Sequence, residues 1–189
     1  MKNSIRRTVA AILIIALSIG IGFAYDRIRG AIDRHLYPKD YAEYVERYSA
    51  LYGVPEDIIY AVIKVESNFA SNAVSHAGAI GLMQLLPETF TWLAELQGES
   101  LDPGLLYDPE TNIRFGVYYL SYLFREFGLW NSVYAAYNAG PTRVREWSTD
   151  TRYADENGAL DDIPFAETRN YVARVEEAVE LYRSLYEEK

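Results

Sequence analysis

Apolar residues recur at every third or fourth position through most of the chain after residue 40, with polar residues between them. This period places the apolar side chains on one face of a helix. It predicts helices at about residues 41–52, 55–66, 87–97, 109–127, 130–137, 141–148 and 165–186. No stretch alternates with a period of two for long enough to predict a strand. The fold class is therefore predicted to be all-α, with one globular domain and irregular connections between its helices.

The same pattern predicts where helices end and which residues form the core. Gly53 and Gly128 end predicted helices, and Pro87 begins one, as glycine and proline commonly do. The polar stretch 149–164 is expected to be an exposed loop. The residues expected to face inward include Tyr44, Val45, Tyr48, Leu51, Ile58, Ile59, Val62, Val65, Phe90, Leu93, Leu96, Ile113, Val117, Leu120, Leu123, Phe124, Tyr171, Val172, Val175 and Val179.

A long uncharged run, Val9–Tyr25, follows an N-terminus with three Lys/Arg among its first eight residues. As a helix this run would be about 25 Å long, slightly short of a hydrocarbon core of ~30 Å. We predict that residues 1–25 are a signal anchor that holds the protein in the cytoplasmic membrane. A signal peptide cleaved after Ala24 and a buried helix of a soluble domain stay open as alternatives. Residues 26–40 are then a polar connector, and residues 41–189 are the globular domain.

Charge is distributed unevenly along the chain. Residues 1–34 hold six Lys/Arg and two Asp, a net charge of +4. The whole chain has a net charge of −9, so residues 35–189 have a net charge of −13. A domain this acidic repels phosphate backbones, which argues against nucleic acid as a partner. The chain has no cysteine, which excludes disulfides and a thiol nucleophile, and its two histidines stand far apart, so a zinc site is not expected. The 17 tyrosines and three tryptophans fit a core, and they equally suit a groove that stacks on sugar rings.

Glu66 is the first candidate for chemistry because it stands at the end of an apolar helix. Burial there would disfavour the charged carboxylate and raise the pKa, which suits an acid that protonates a leaving oxygen. The loop behind it is rich in small and polar residues. Gly78 and Gly81 would let the backbone approach a ligand, and the amide of Gln84 could both donate and accept hydrogen bonds. A polar surface loop before a capped helix is the alternative interpretation.

Three separated segments complete the pattern. The first is Glu66–Phe69 (ESNF), followed closely by Gly78–Thr89 (GAIGLMQLLPET). The second is Ala136–Gly140 (AYNAG), and the third is Glu167–Val172 (ETRNYV). In this order and spacing they resemble the catalytic domain of the soluble lytic transglycosylase family, over about residues 41–182. The resemblance implies a lysozyme-like fold and an enzyme that acts on peptidoglycan in the bacterial cell envelope.

The resemblance also implies roles for individual residues. Glu66 matches the single catalytic acid and base of the family. Ser75 matches a serine that hydrogen-bonds near the N-acetyl group of the muramic acid ring, and Glu167 matches a carboxylate for which a structural role is equally expected. The positions implied to bind substrate are Ser75, Met83, Gln84, Tyr137, Asn138 and Glu167.

The implied reaction cleaves the β-1,4 bond between N-acetylmuramic acid and N-acetylglucosamine without a metal or cofactor. Glu66 would protonate the glycosidic oxygen and then take a proton from the C6 hydroxyl of the same muramic ring, giving a 1,6-anhydro product. One carboxyl would thus replace the usual pair. Two alternatives remain: a hydrolytic lysozyme-like muramidase, and a membrane-tethered glycan-binding module without activity.

Overall fold

The computed structural model describes the backbone of residues 2–186 and the side chains of residues 15, 17–25 and 27–186. The first helix, α1, is Lys2–Leu36, so most of the predicted connector is helical. The chain divides into two compact units, Met1–Pro38 and Lys39–Lys189. Among the residues described, no helix is long and apolar enough to cross a membrane. The predicted anchor falls partly on side chains that lie outside the described set.

The second unit contains the remaining helices. They are α2 (Ala42–Tyr52), α3 (Glu56–Ser67), α4 (Pro87–Leu96), a 3-10 helix (Pro103–Tyr107), α5 (Pro109–Phe127), α6 (Trp130–Ala139), α7 (Pro141–Ser148) and α8 (Ala166–Tyr186). Between residues 2 and 186 there is no strand beyond isolated bridges. The all-α prediction is therefore confirmed, and the predicted helices lie within about two residues of the observed ones.

The core forms where the apolar helix faces meet. Helix α8 packs on α3 and α6, and α5 packs on α2, α4, α6 and the 3-10 helix. This arrangement buries the inward-facing residues of α3 and α5 almost completely, including Ile58, Ile59 and Leu120. The packing of α3 on α8 brings the C-terminal end of α3 next to the last helix of the chain.

Some residues depart from the predicted burial. Leu51, Leu96 and Phe124 were expected to face inward but are 63%, 49% and 37% exposed. Each lies in the last turn of its helix, where the chain leaves the packed surface, and Phe124 is covered only in part, by the ring of Trp130. The loop 149–164 was predicted to be exposed, but its residues Ala154, Leu160 and Ile163 are buried.

Candidate active site

The C-terminal end of α3 places Glu66 at the start of a sharply turned loop. Asn68 and Phe69 both adopt positive φ angles, 49° and 66°, so the chain reverses directly after the helix. The hydroxyl of Ser67 donates a 2.7 Å hydrogen bond to the carbonyl of Leu82. The helix end that carries Glu66 is thereby tied to the Gly-Leu-Met-Gln segment.

A buried asparagine on α5 holds that segment in place. Asn112 is fully buried. Its Oδ1 accepts a 2.8 Å hydrogen bond from the N–H of Met83. Its Nδ2 donates to the carbonyls of Ile80 and Leu106, at 2.9 and 2.8 Å. Gly81 lies directly against this amide with a φ of 82°, and a Cβ there would collide with Asn112. Only glycine combines that backbone conformation with so close an approach.

A cleft of about 640 Å³ opens beside this loop. It is lined by side chains from the α3 end, the loop, α4, α5, α6 and the first turn of α8. Six of the seven residues singled out from the sequence line it: Glu66, Ser75, Gln84, Tyr137, Asn138 and Glu167. Three motifs far apart in the sequence are thus brought to one cavity.

Met83 is the exception among the predicted binding residues. Its side chain is 0% exposed and packs against Gly116, where any Cβ would collide with the thioether. The structure gives no support for a substrate contact by this side chain. The unbranched side chain of Met83 instead fills the core between the loop and α5. Its main chain supports the site: the carbonyl of Met83 accepts a 2.7 Å hydrogen bond from the hydroxyl of Tyr137.

Gln84 and Ser75, two polar side chains of the loop, each keep one group available for a hydrogen bond to a ligand. The Nε2 of Gln84 donates to the carbonyls of Ala73 and Gly81 at 3.1 and 2.9 Å, so its donors hold the loop and Oε1 is left as an acceptor. The Oγ of Ser75 accepts from the N–H of Ala79 at 3.0 Å. The hydroxyl proton of Ser75 can therefore still be donated to a ligand.

The electrostatics of the cleft centre on Glu66. Desolvation raises the pKa of its carboxyl to about 7, against an ordinary value of 4.5. The hydroxyl of Tyr171 donates a 2.7 Å hydrogen bond to Glu66 Oε1, and this bond and the charge of Arg174 oppose the rise. Burial also raises the pKa of Tyr171 and of Tyr137 well above the usual range, so both phenols stay protonated as donors.

Glu66 and Glu167 are the carboxyl groups among the described residues that line the cleft. Glu167 is exposed in the first turn of α8, where its charge complements the helix dipole. The described residues also contain no group of three or more His, Cys, Asp or Glu that could hold a metal ion. The arrangement can thus present one protonated carboxyl at neutral pH to a leaving oxygen, with hydrogen-bonding groups around it.

Two residues that shape the site were not singled out from the sequence. Tyr171 belongs to the third motif but also continues the apolar stripe of α8, so its pattern indicated only a core position. Asn112 begins the buried stripe of α5, three and four residues before Phe115 and Gly116, and a polar residue on a buried face was the available signal.

Comparison with known proteins agrees with this geometry. A family model described as Transglycosylase SLT domain matches residues 43–159. The soluble lytic murein transglycosylase of Escherichia coli K12 is 39% identical over 157 residues, which cover 78% of this chain and 24% of that protein. The membrane-bound lytic murein transglycosylase C of Mannheimia succiniciproducens is 33% identical over 168 residues, covering 77% of this chain and 47% of that protein.

A solved structure shows the same fold. The 70 kDa soluble lytic transglycosylase of Escherichia coli has a TM-score of 0.75 and 35% sequence identity, and the match covers 83% of this chain and 26% of that one. The likeness confirms the all-α, lysozyme-like fold implied by the three motifs. The chain spans about a quarter of the length of these Escherichia coli relatives.

Proposed function

We propose that this protein, which belongs to the Transglycosylase SLT domain family, is a peptidoglycan lytic transglycosylase. Its substrate would be the glycan strand, and the bond cleaved would be the β-1,4 bond between N-acetylmuramic acid and N-acetylglucosamine. One observation carries the proposal: a carboxyl of the cleft, Glu66, has its pKa raised to about 7 by burial, and its Oε1 accepts a hydrogen bond from Tyr171.

In the first step Glu66 acts as the general acid. A carboxyl with a pKa near 7 is substantially protonated at neutral pH, so it can donate its proton to the glycosidic oxygen as the bond from that oxygen to C1 of the muramic ring breaks. The carboxylate that remains keeps its hydrogen bond from Tyr171. That bond stabilises the charged form at the moment it appears.

In the second step the same carboxylate acts as the base. It takes the proton of the C6 hydroxyl of the muramic ring while the C6 oxygen forms a bond to C1. Glu66 is then protonated again, and no water is consumed. Ser75 would hold the N-acetyl oxygen through its free hydroxyl proton, and Gln84 would accept a hydrogen bond from the substrate through Oε1. Tyr137, Asn138 and Glu167 would line the binding cleft.

Mass spectrometry of the released muropeptides tests this proposal. A lytic transglycosylase releases ends of 1,6-anhydro-muramic acid, about 18 mass units below the hydrolytic product, because the C6 oxygen replaces water. Reducing muramic ends from the wild-type protein would instead show a muramidase, in which Glu167 is the available second carboxyl of the cleft. Glycan binding without cleavage would leave only a binding module.

We further propose that the protein works in the cell envelope, tethered through its N-terminal segment. The support is the uncharged run Val9–Tyr25 behind a basic start, together with the location of the proposed substrate. Fractionation of expressing cells tests the tether: the protein should sediment with membranes and keep residues 1–8. A soluble protein whose sequence begins at Tyr25 would show a cleaved signal peptide instead.

A further inference from the structure

The cleft is lined by one histidine that the proposed reaction does not use. His76 is exposed, and its side chain belongs to the lining of the cleft together with Glu66 and Ser75. The imidazole has no hydrogen-bond or ion-pair partner among the residues that the structure describes. Both of its ring nitrogens are therefore available to a ligand that enters the cleft.

The backbone around His76 is a tightly bonded turn. The N–H of Ser75 donates to the carbonyl of Ala79 at 2.9 Å, and the N–H of Gly78 donates to the carbonyl of Ser75 at 3.0 Å. Gly78 has a φ of 83°, a conformation that glycine adopts without strain. His76 and Ala77 form the tip of this turn. Because the tip is held before a ligand arrives, little further ordering of the backbone is needed for binding.

The position of the turn also brings His76 close to a group already assigned to the substrate. Ser75, whose hydroxyl proton is free for a ligand, directly precedes His76, and consecutive Cα atoms are about 3.8 Å apart. The other residues of the turn that line the cleft, Ala77 and Ala79, have small side chains. The imidazole therefore extends beyond its neighbours, beside the sugar that Ser75 would hold.

We propose that His76 is a substrate-binding residue, and that a nitrogen of its ring forms a hydrogen bond with a hydroxyl of the glycan strand. The inference rests on the proposed function, which makes the glycan the ligand of the cleft. A neutral imidazole has one N–H donor and one nitrogen acceptor, and a sugar hydroxyl can take either role. Since the proton transfers belong to Glu66, His76 contributes to binding and not to the chemical step.

The polar edge of the ring, rather than its flat face, carries this contact. A glycan that fills the cleft displaces water, and the ring nitrogens of His76 then lose the hydrogen bonds that water gave them. No described protein group is placed to replace those bonds. An unpaired polar group in a desolvated site costs free energy, so the ligand itself must supply the partner.

Two substitutions separate the edge of the ring from its face. His76→Phe keeps a flat ring and removes both nitrogens, whereas His76→Gln keeps a donor and an acceptor and removes the ring. His35→Gln is the matched control, because His35 is the other histidine of the chain, is exposed on α1 and is not part of the cleft lining. Thermal unfolding of each full-length variant checks that the fold is retained.

Binding and turnover are measured separately. Isothermal titration calorimetry with a β-1,4-linked tetramer of N-acetylglucosamine gives Kd for a ligand that has sugars and no peptide. Release of muropeptides from soluble peptidoglycan strands gives KM and kcat. For His76→Phe we expect Kd and KM to rise about threefold to tenfold with kcat unchanged, which corresponds to the loss of one neutral hydrogen bond. His76→Gln should stay within about twofold of the wild type, and His35→Gln should match it.

The site at His76 would be overturned if His76→Phe bound the tetramer as tightly as the wild type, or if His76→Gln lost as much as His76→Phe. The second result would assign the contact to the face of the ring. A fall in kcat with KM unchanged, or a wild type that does not bind the tetramer, would also count against it. None of these results decides the proposed reaction, which depends on whether the wild type releases anhydro ends.

Discussion

The hydroxyl of Tyr171 donates a 2.7 Å hydrogen bond to Oε1 of Glu66, although the two residues lie 105 positions apart in the chain. The packing of α8 on α3 creates this contact. Burial raises the pKa of Glu66, and the hydrogen bond opposes that rise, so the pKa of the carboxyl is about 7 rather than higher. Desolvation favours the acid before proton transfer, and the phenol supports the carboxylate after it.

Replacing Glu66 with Gln should abolish turnover while leaving the fold and glycan binding intact. The amide keeps the size and can still accept from Tyr171, but it has no proton to give. General acid catalysis is worth about 10²–10⁴-fold, so kcat should fall by at least this range. The measurement is release of muropeptides from purified peptidoglycan, together with a sedimentation assay for binding.

Glu88→Gln is the control, because Glu88 is exposed on α4 and does not line the cleft. Full activity in Glu66→Gln would remove the acid role from this residue.

The raised pKa of Glu66 also predicts how stability depends on pH. Because the folded pKa of about 7 lies above the ordinary 4.5, the folded state holds this proton more tightly than the unfolded state. Its contribution is fully present below pH 4.5 and is lost as the pH rises through 7. Relative to Glu66→Gln, the wild type should therefore lose about 1–3 kcal/mol of unfolding free energy between these pH values. Denaturant titrations of both proteins at several pH values measure the difference, and a constant difference would contradict the raised pKa.

Removing the phenol hydroxyl with Tyr171→Phe should shift the pH profile and slow the reaction. The hydrogen bond lowers the pKa of Glu66, so its loss raises that pKa. Activity of the wild type should fall as the pH rises through about 7, and in the variant this fall should come at higher pH. The rate at low pH should drop by about tenfold, since the carboxylate formed in the reaction loses a charge-assisted hydrogen bond. Tyr134→Phe, another buried tyrosine, is the control. An unshifted profile in Tyr171→Phe would show that the phenol does not act on Glu66.

Asn112→Leu should destabilise the domain and loosen the Gly-Leu-Met-Gln segment beside the cleft. The substitution leaves the N–H of Met83 and the carbonyl of Leu106 buried without a partner, whereas the carbonyl of Ile80 keeps its hydrogen bond from the N–H of Leu85. Such groups cost about 1–3 kcal/mol each, so unfolding free energy should fall by roughly 3 kcal/mol or more. Asn157→Leu, in the exposed loop, should change stability by less than about 0.5 kcal/mol. Both are measured by thermal unfolding. Equal effects of the two substitutions would mean that Asn112 does not hold the loop.

The sequence alone was enough for the helices from α2 to α8 and for most of the predicted residues that line the cleft. The positions of Gly53, Pro87 and Gly128 mark helix ends because the backbone conformations of glycine and proline act locally. The three motifs predicted Glu66 and five other residues that line the same cleft. These motifs are short, and their polar residues interrupt the apolar pattern of the helices, so they can be recognised locally. Local patterns carry this information without knowledge of the rest of the chain.

Tertiary packing decided what a local pattern cannot contain. Met83 was predicted to bind substrate, yet its side chain packs against Gly116 in the core. Tyr171 repeats with the apolar face of α8, and only the contact of that helix with α3 turns it into the partner of Glu66. The pKa of Glu66 likewise depends on which groups surround it, since desolvation and Coulomb interactions act between residues that are close in space and distant in sequence.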